Sequence, residues 1–201
     1  MSYVDLKRML ADLTMEVVAD PERYSGGDRA LDDRLIQLGI LAREGDRAEL
    51  RQDFRPHQRY FEQQTGRLRS FLAKYRAGRP PAETAPDPLW AGVLLFNEGL
   101  YFECHEWLEA AWKRSVGPER NFLHGIVQAA AAFYHYEKGN MHGARTLLGK
   151  ALRRLETYPS PYLSVDLDDL SRTLTQWQTE FAQSDGPRPD SHHPTIRFAR
   201  R

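Results

Sequence analysis

His105 and Glu109 stand four residues apart, on a helical face they share with Tyr101, Phe102, Leu108 and Trp112, because residues i and i+4 are neighbours on a helix. Glu106 flanks that face and Glu103 is expected to point outward. A second helical stretch, GIVQAAAAFYHY, is almost wholly apolar or small, yet Asn121, His124, Gln128 and His135 fall within ~60° of one another around it, with Ala131 and Ala132 between them. Two imidazoles and a carboxylate, His105, Glu109 and His135, form the kind of set that holds zinc or non-haem iron. A divalent metal is therefore the candidate cofactor, and a metal-dependent or acid/base hydrolase with Glu106 as base is one functional reading. The spacing restrains it. HEWLE is an HExxE pattern, with Glu109 where the second histidine of a zincin belongs, and no Glu-x-x-His pair of the di-iron bundles occurs.

The plainer reading of the same residues is a hydrogen-bonded polar core that fixes the register of two helices. A buried carboxylate costs several kcal/mol unless it is paired, so Glu109 is expected to meet His105, His135, His124 or Gln128. Cys104 diverges from His105 by ~100° on a helix, which argues against a Cys–His catalytic pair and for a packed thiol. His142 and the His192–His193 pair are expected to be exposed.

The 201 residues are 41% hydrophobic, and 28 Lys+Arg balance 28 Asp+Glu. That content supports one sizeable core or a core plus an appendage, and zero net charge supplies no global field to recruit nucleic acid or anionic membrane. A single cysteine excludes intramolecular disulfides and thiolate metal clusters and points to a reducing compartment. No apolar run approaches the ~20 residues that span a bilayer, and MSYVDLKRMLADL lacks a signal peptide's apolar centre. The sequence reads as soluble and cytoplasmic.

The elements that must position the polar groups are helical. An amphipathic helix is predicted over 2–19 with Ser2 as N-cap, a second over 28–38, and a small hairpin in ILAREGDRAEL around Gly45–Asp46. Helix followed by charged hairpin resembles the end of a winged-helix domain, with Arg43, Arg47 and Arg51 as phosphate contacts. A DNA-binding regulator built on residues 1–55 is thus a further alternative, weakened by the interleaved Glu44, Asp46 and Glu49. A long helix follows Pro56 to about Ala77, and GRPPAETAPDP breaks the chain. Helices are then predicted at about 88–99, 100–117, 118–139, 140–158 and 166–184, with stop and start signals at Gly139–Asn140. This divides the chain into an N-terminal segment 1–79, helical or winged-helix-like, a Pro-rich linker 80–87, a bundle 88–184 and a loose tail 185–201, within which TIRF could dock as a strand.

Three stretches carry a family resemblance: FNEGLYFECHEWLEAAW, GPERNFLHGIVQAAAAFYH and GNMHGARTLLGKALRRL, with a weaker one in PSPYLSVDLDDL. Over about residues 90–175 the chain resembles the domain of unknown function 309 proteins, which are small and all-helical. The resemblance places His105, Glu106, Glu109, Trp112, Gln128, His135, Asn140, Gly143 and Ala144 on the family's motif positions. His124 departs, since the family often carries Gln there, and it is left out of the metal set. The family has no agreed activity, so the resemblance implies a fold and leaves the function open.

The expectation is an all-α protein: a compact bundle of about five antiparallel helices behind a small helical, winged-helix-like N-terminal segment. Its leading function is that of a binding or interaction module, with a polar pocket formed by His105, Glu106, Glu109, Trp112, Gln128, His135 and Asn140. Short helix pairs with Gly-Asn turns are similar to tetratricopeptide repeats, which by analogy of fold alone suggests a protein or peptide partner.

Overall fold

The computed structural model describes residues 2–45, 47–78, 87–188 and 193–199, and the chain falls into two compact units, 1–78 and 79–201. Most of the linker predicted over 80–87 lies outside the described residues, as do Asp46 of the hairpin turn and His192.

In the first unit, Ser2 caps α1 (Tyr3–Ala19) through a reciprocal capping box with Asp5. The stripe Leu6, Leu10, Leu13 and Val17 is buried. Pro21–Tyr24 makes a single 3-10 turn before α2 (Asp28–Gln37). The antiparallel hairpin of β1 (Leu41–Glu44) and β2 (Arg47–Leu50) follows, then a second 3-10 turn at Gln52–His57 and α3 (Gln58–Arg76). The turn at Pro21–Tyr24 is only four residues long. Tyr24 is nonetheless buried, and its hydroxyl donates to Glu16 at 2.7 Å.

The second unit is a meander of α4 (Asp87–Asn97), α5 (Tyr101–Arg114), α6 (Gly117–Glu137), α7 (Met141–Leu155) and α8 (Leu167–Gln183), with sequential helices packed together. α6 is the central helix. Its inner face carries Ile126, Ala129, Ala130 and Phe133, and Phe133 packs against Phe96 of α4 and against Trp177 and Phe181 of α8. α5 and α7 lie against its flanks. At Gly125 a Cβ would sit 2.7 Å from Leu155 Cδ2, so the α6–α7 approach depends on the missing side chain.

The tail is not loose throughout. The Asn97 carboxamide brackets Ile196, accepting its N–H at 2.7 Å and donating to its carbonyl at 2.9 Å. Phe198 pairs with Val165, and Ile196 is buried. Two apolar side chains in TIRF give this short segment enough buried surface to dock. Among the described residues no helix is long and apolar enough to cross a membrane.

Candidate binding face

The buried arc of α5 is turned about a quarter of a turn from the expected one. Tyr101, Cys104, Leu108 and Ala111 face inward, and Glu103, expected outside, is 6% exposed. Phe102, His105, Glu106, Glu109 and Trp112 are half-buried. The error has a physical source: the large aromatics Phe102 and Trp112 were weighted as core, whereas small Cys104 and Ala111 line the interior. Burial pushes the Cys104 thiol far up, with the nearby Glu103 charge adding to the shift.

Glu109 does not meet a histidine. Its carboxylate pairs with Lys113 at 3.0 Å, one turn along the same helix. His105 Nδ1 lies 3.0 Å from Glu106 Oε1. His135 works at the far end of α6. Its Nδ1 takes the Asn140 side-chain amide at 2.9 Å, while Asn140 Oδ1 accepts the Gly143 N–H and caps α7. A Cβ at Gly143 would stand 2.9 Å from Asn140 Nδ2 and 3.0 Å from the His135 ring. This capping arrangement accounts physically for His135, Asn140 and Gly143 together. His105, Glu109 and His135 are therefore not assembled as ligands. Among the described residues no three His, Cys, Asp or Glu side chains converge where a metal ion could sit, and the donor set inferred from spacing does not fit a divalent cation.

Along the polar stripe of α6, Asn121 is exposed, His124 and His135 are half-buried and Gln128 is buried. Toward α5, Trp112 stacks on His124 with ring centroids 4.3 Å apart, and Phe102 packs against Tyr134 at 5.3 Å. Half-buried Ala131 lies between these two pairs along α6. Ten residues separate Phe102 from Trp112, so at ~1.5 Å per residue the aromatic pairs stand ~15 Å apart. The result is a seam with an aromatic pair at each end and a small-residue middle bordered by His105 and Glu109. Arg120 lies over the Trp112 ring and donates to the carbonyls of Lys113 and Ser115, closing the C-terminus of α5.

Toward α7, Gln128 is 8% exposed and Arg154 Nε donates to its carboxamide oxygen at 3.3 Å. Arg154 also donates to Asn121 at 3.2 Å. Gln128 thus joins α7 and not the α5 residues with which it was grouped. Here the sequence reading missed Lys150, Arg153, Arg154 and Tyr158, which border a cleft of about 550 Å³ together with Asn121 and Gln128. A signal was present: from Met141 to Leu155 the helix holds Arg145, Lys150, Arg153 and Arg154 and no acid. Burial, followed by the positive charges of Arg154, Arg120 and Lys150, holds His124 below its ordinary value of 6.5.

In the first unit the charges of the hairpin and of α2 are largely engaged. Arg43 pairs with Asp33 at 2.7 Å, and Asp28 and Asp32 pair with Arg69 of α3.

Residues 89–147 match the family model described as domain of unknown function (DUF309). The match spans most of α4, all of α5 and α6 and the start of α7, including every motif residue from His105 to Ala144. An uncharacterised protein, YpuF of Bacillus subtilis (strain 168), is 34% identical over 84 residues, covering 41% of this chain and 48% of that protein. The chain thus spans about half the length of this relative.

Proposed function

We propose that this chain, which over residues 89–147 is similar to the domain of unknown function 309 proteins, is a binding module and not a hydrolase. The observation that carries this reading is the use made of the motif residues. His105 and Glu109 are held by neighbours on their own helix and His135 by a helix cap, while the seam they border is half-open. Catalytic acid/base groups need a shared reacting centre, and these three have none. A seam ~15 Å long accommodates four or five residues of extended chain at ~3.3 Å each. The partner that fits is a peptide segment with an apolar side chain for the aromatic-bounded trough and a cation for Glu106 and Glu109. We place the module in the cytoplasm, in keeping with its one buried, unreactive cysteine.

The test is capture from cells of the full chain and of the charge-reversed Glu106→Lys/Glu109→Lys form, both expressed at native level. One stoichiometric partner retained by the first and lost by the second supports the reading. Identical partner sets would overturn it. Stoichiometric zinc, iron or manganese in untagged protein, lost on His105→Ala, would favour the hydrolase instead. The DNA-binding alternative gains nothing from α2, whose exposed Asp28 and half-buried Asp32 and Asp33 would repel phosphate.

A further inference from the structure

We propose that the cleft between α6 and α7 binds the phosphate group of a small phosphomonoester, through Lys150, Arg153 and Arg154 with buried Gln128 and exposed Asn121 beside them. The site needs none of the α5 side chains and so goes beyond the partner-binding reading.

Three cations come from the last two turns of one acid-free helix, and among the described residues none of them pairs with a carboxylate. Cations near a helix C-terminus complement its dipole, which alone would account for Arg153 and Arg154. It does not account for what faces them. Arg154 donates to two neutral carboxamides, at 3.3 Å and 3.2 Å, so it is oriented by them while its charge is left uncompensated. Gln128 is 8% exposed, lines the cleft, and has no acceptor for its amide nitrogen among the described residues. A buried donor without an acceptor is rare in folded proteins. A phosphate oxygen would supply that acceptor, and a dianion would offset two of the three charges. His124, whose proton affinity is lowered first by burial, also feels the positive charges of Arg154 and Lys150.

The ligand class follows from size and extent. About 550 Å³ lies within the roughly 300–1,000 Å³ of small-molecule sites. Nucleic acid would call for a basic stripe continuing past the cleft, whereas the three cations that line it come from one end of α7. Tyr158 lines the same cleft with its hydroxyl already donating to the Pro118 carbonyl at 2.7 Å, so its ring is what it offers to the organic part of the ligand.

The experiment is a titration of isotope-labelled full chain with inorganic phosphate and with phenyl phosphate at constant ionic strength, following the Gln128 side-chain amide and Arg154 Nε resonances. Saturable shifts of both are expected, weakened roughly tenfold or more by Arg154→Met and by Lys150→Met. The charge-matched Arg59→Met, on exposed α3 surface of the first unit, should bind as wild type. Lys150 is solvent-exposed, so its variant decides the matter even if Arg154→Met unfolds. Shifts reproduced by chloride at the same ionic strength, or wild-type affinity in the Lys150 variant, would overturn the proposal. So would binding confined to phosphatidic acid vesicles with no response to soluble phosphates. Glu106→Lys/Glu109→Lys should leave phosphate binding intact, so the two readings fail separately.

Discussion

Two arginines of the first unit, Arg34 and Arg69, and the cations at the C-terminal end of α7 are treated differently by their surroundings. Arg34 reaches Glu16 through Nε and Nη2, at 3.1 Å and 2.8 Å, and Arg69 spans Asp28 and Asp32 at 3.1 Å and 2.6 Å. Each of these guanidinium groups ties helices together, and Glu16 is drawn below the usual carboxylate range chiefly by the Arg34 hydrogen bonds. On α7, by contrast, Arg154 meets only amide oxygens, and Lys150 and Arg153 meet no carboxylate among the described residues. A charge satisfied inside the fold is structural. One left facing a cleft is available to a ligand, and its removal should cost binding and little stability.

The contrast can be broken at its extremes. The largest effect is expected inside α5, where Glu103→Ala should cost about 3 kcal/mol by disturbing a buried carboxylate and its surroundings. Glu109→Ala should cost under about 0.5 kcal/mol, because its Lys113 pair is an exposed i,i+4 contact. Urea unfolding of both variants checks the order, and equal costs would show that the α5 arc has been placed wrongly. Next, Glu16→Gln should destabilise by about 1.5 kcal/mol, since it weakens a charged hydrogen-bond cluster with Arg34 and Tyr24. Lys150→Met, at an exposed cation of the cleft, should lie within about 0.5 kcal/mol of wild type. If Lys150 proved as costly as Glu16, it would belong with the structural charges and the cleft would lose its claim.

Much of this architecture was legible in the sequence. Ser2, Gly139–Asn140 and Asp166 are stop and start signals whose chemistry is local, and all three bound helices where expected. The hairpin around Gly45 followed from the same turn logic. The face of α5 was not legible, because helical spacing places His105 and Glu109 beside Trp112 without saying whether Trp112 is core or rim. The α6 stripe was seen correctly as a set, Asn121, His124, Gln128 and His135, but not its allocation. Which of these residues serves α5, which α7 and which the Asn140 cap depends on the packing of three helices, information that no single helix carries. The TIRF docking was legible only as a strand-like pattern, since its partners Asn97 and Val165 lie far off in sequence.

The smallest predicted effect tests the α7 charges from a neighbouring side chain. His124 is flanked by Trp112 from α5, Arg120 on its own helix, and Lys150 and Arg154 from α7. Burial first, and then these cations, lowers its proton affinity in the folded state, while the unfolded chain keeps the ordinary value of 6.5. As pH falls below 6.5 the unfolded state therefore binds the proton first, so the His124 contribution is full above that value and declines toward the lower, folded value. His124→Phe keeps a ring against Trp112 and removes the titration. The melting temperature of wild type minus variant should fall as pH drops from about 7.5 to about 5, and parallel curves would contradict the assignment. Added phosphate sharpens the test: an anion in the cleft offsets Lys150 and Arg154 and should raise the folded His124 value. The acid-side loss should then shrink in phosphate and persist in chloride of equal ionic strength. A loss indifferent to the anion would leave burial as its whole cause and would separate His124 from the cleft.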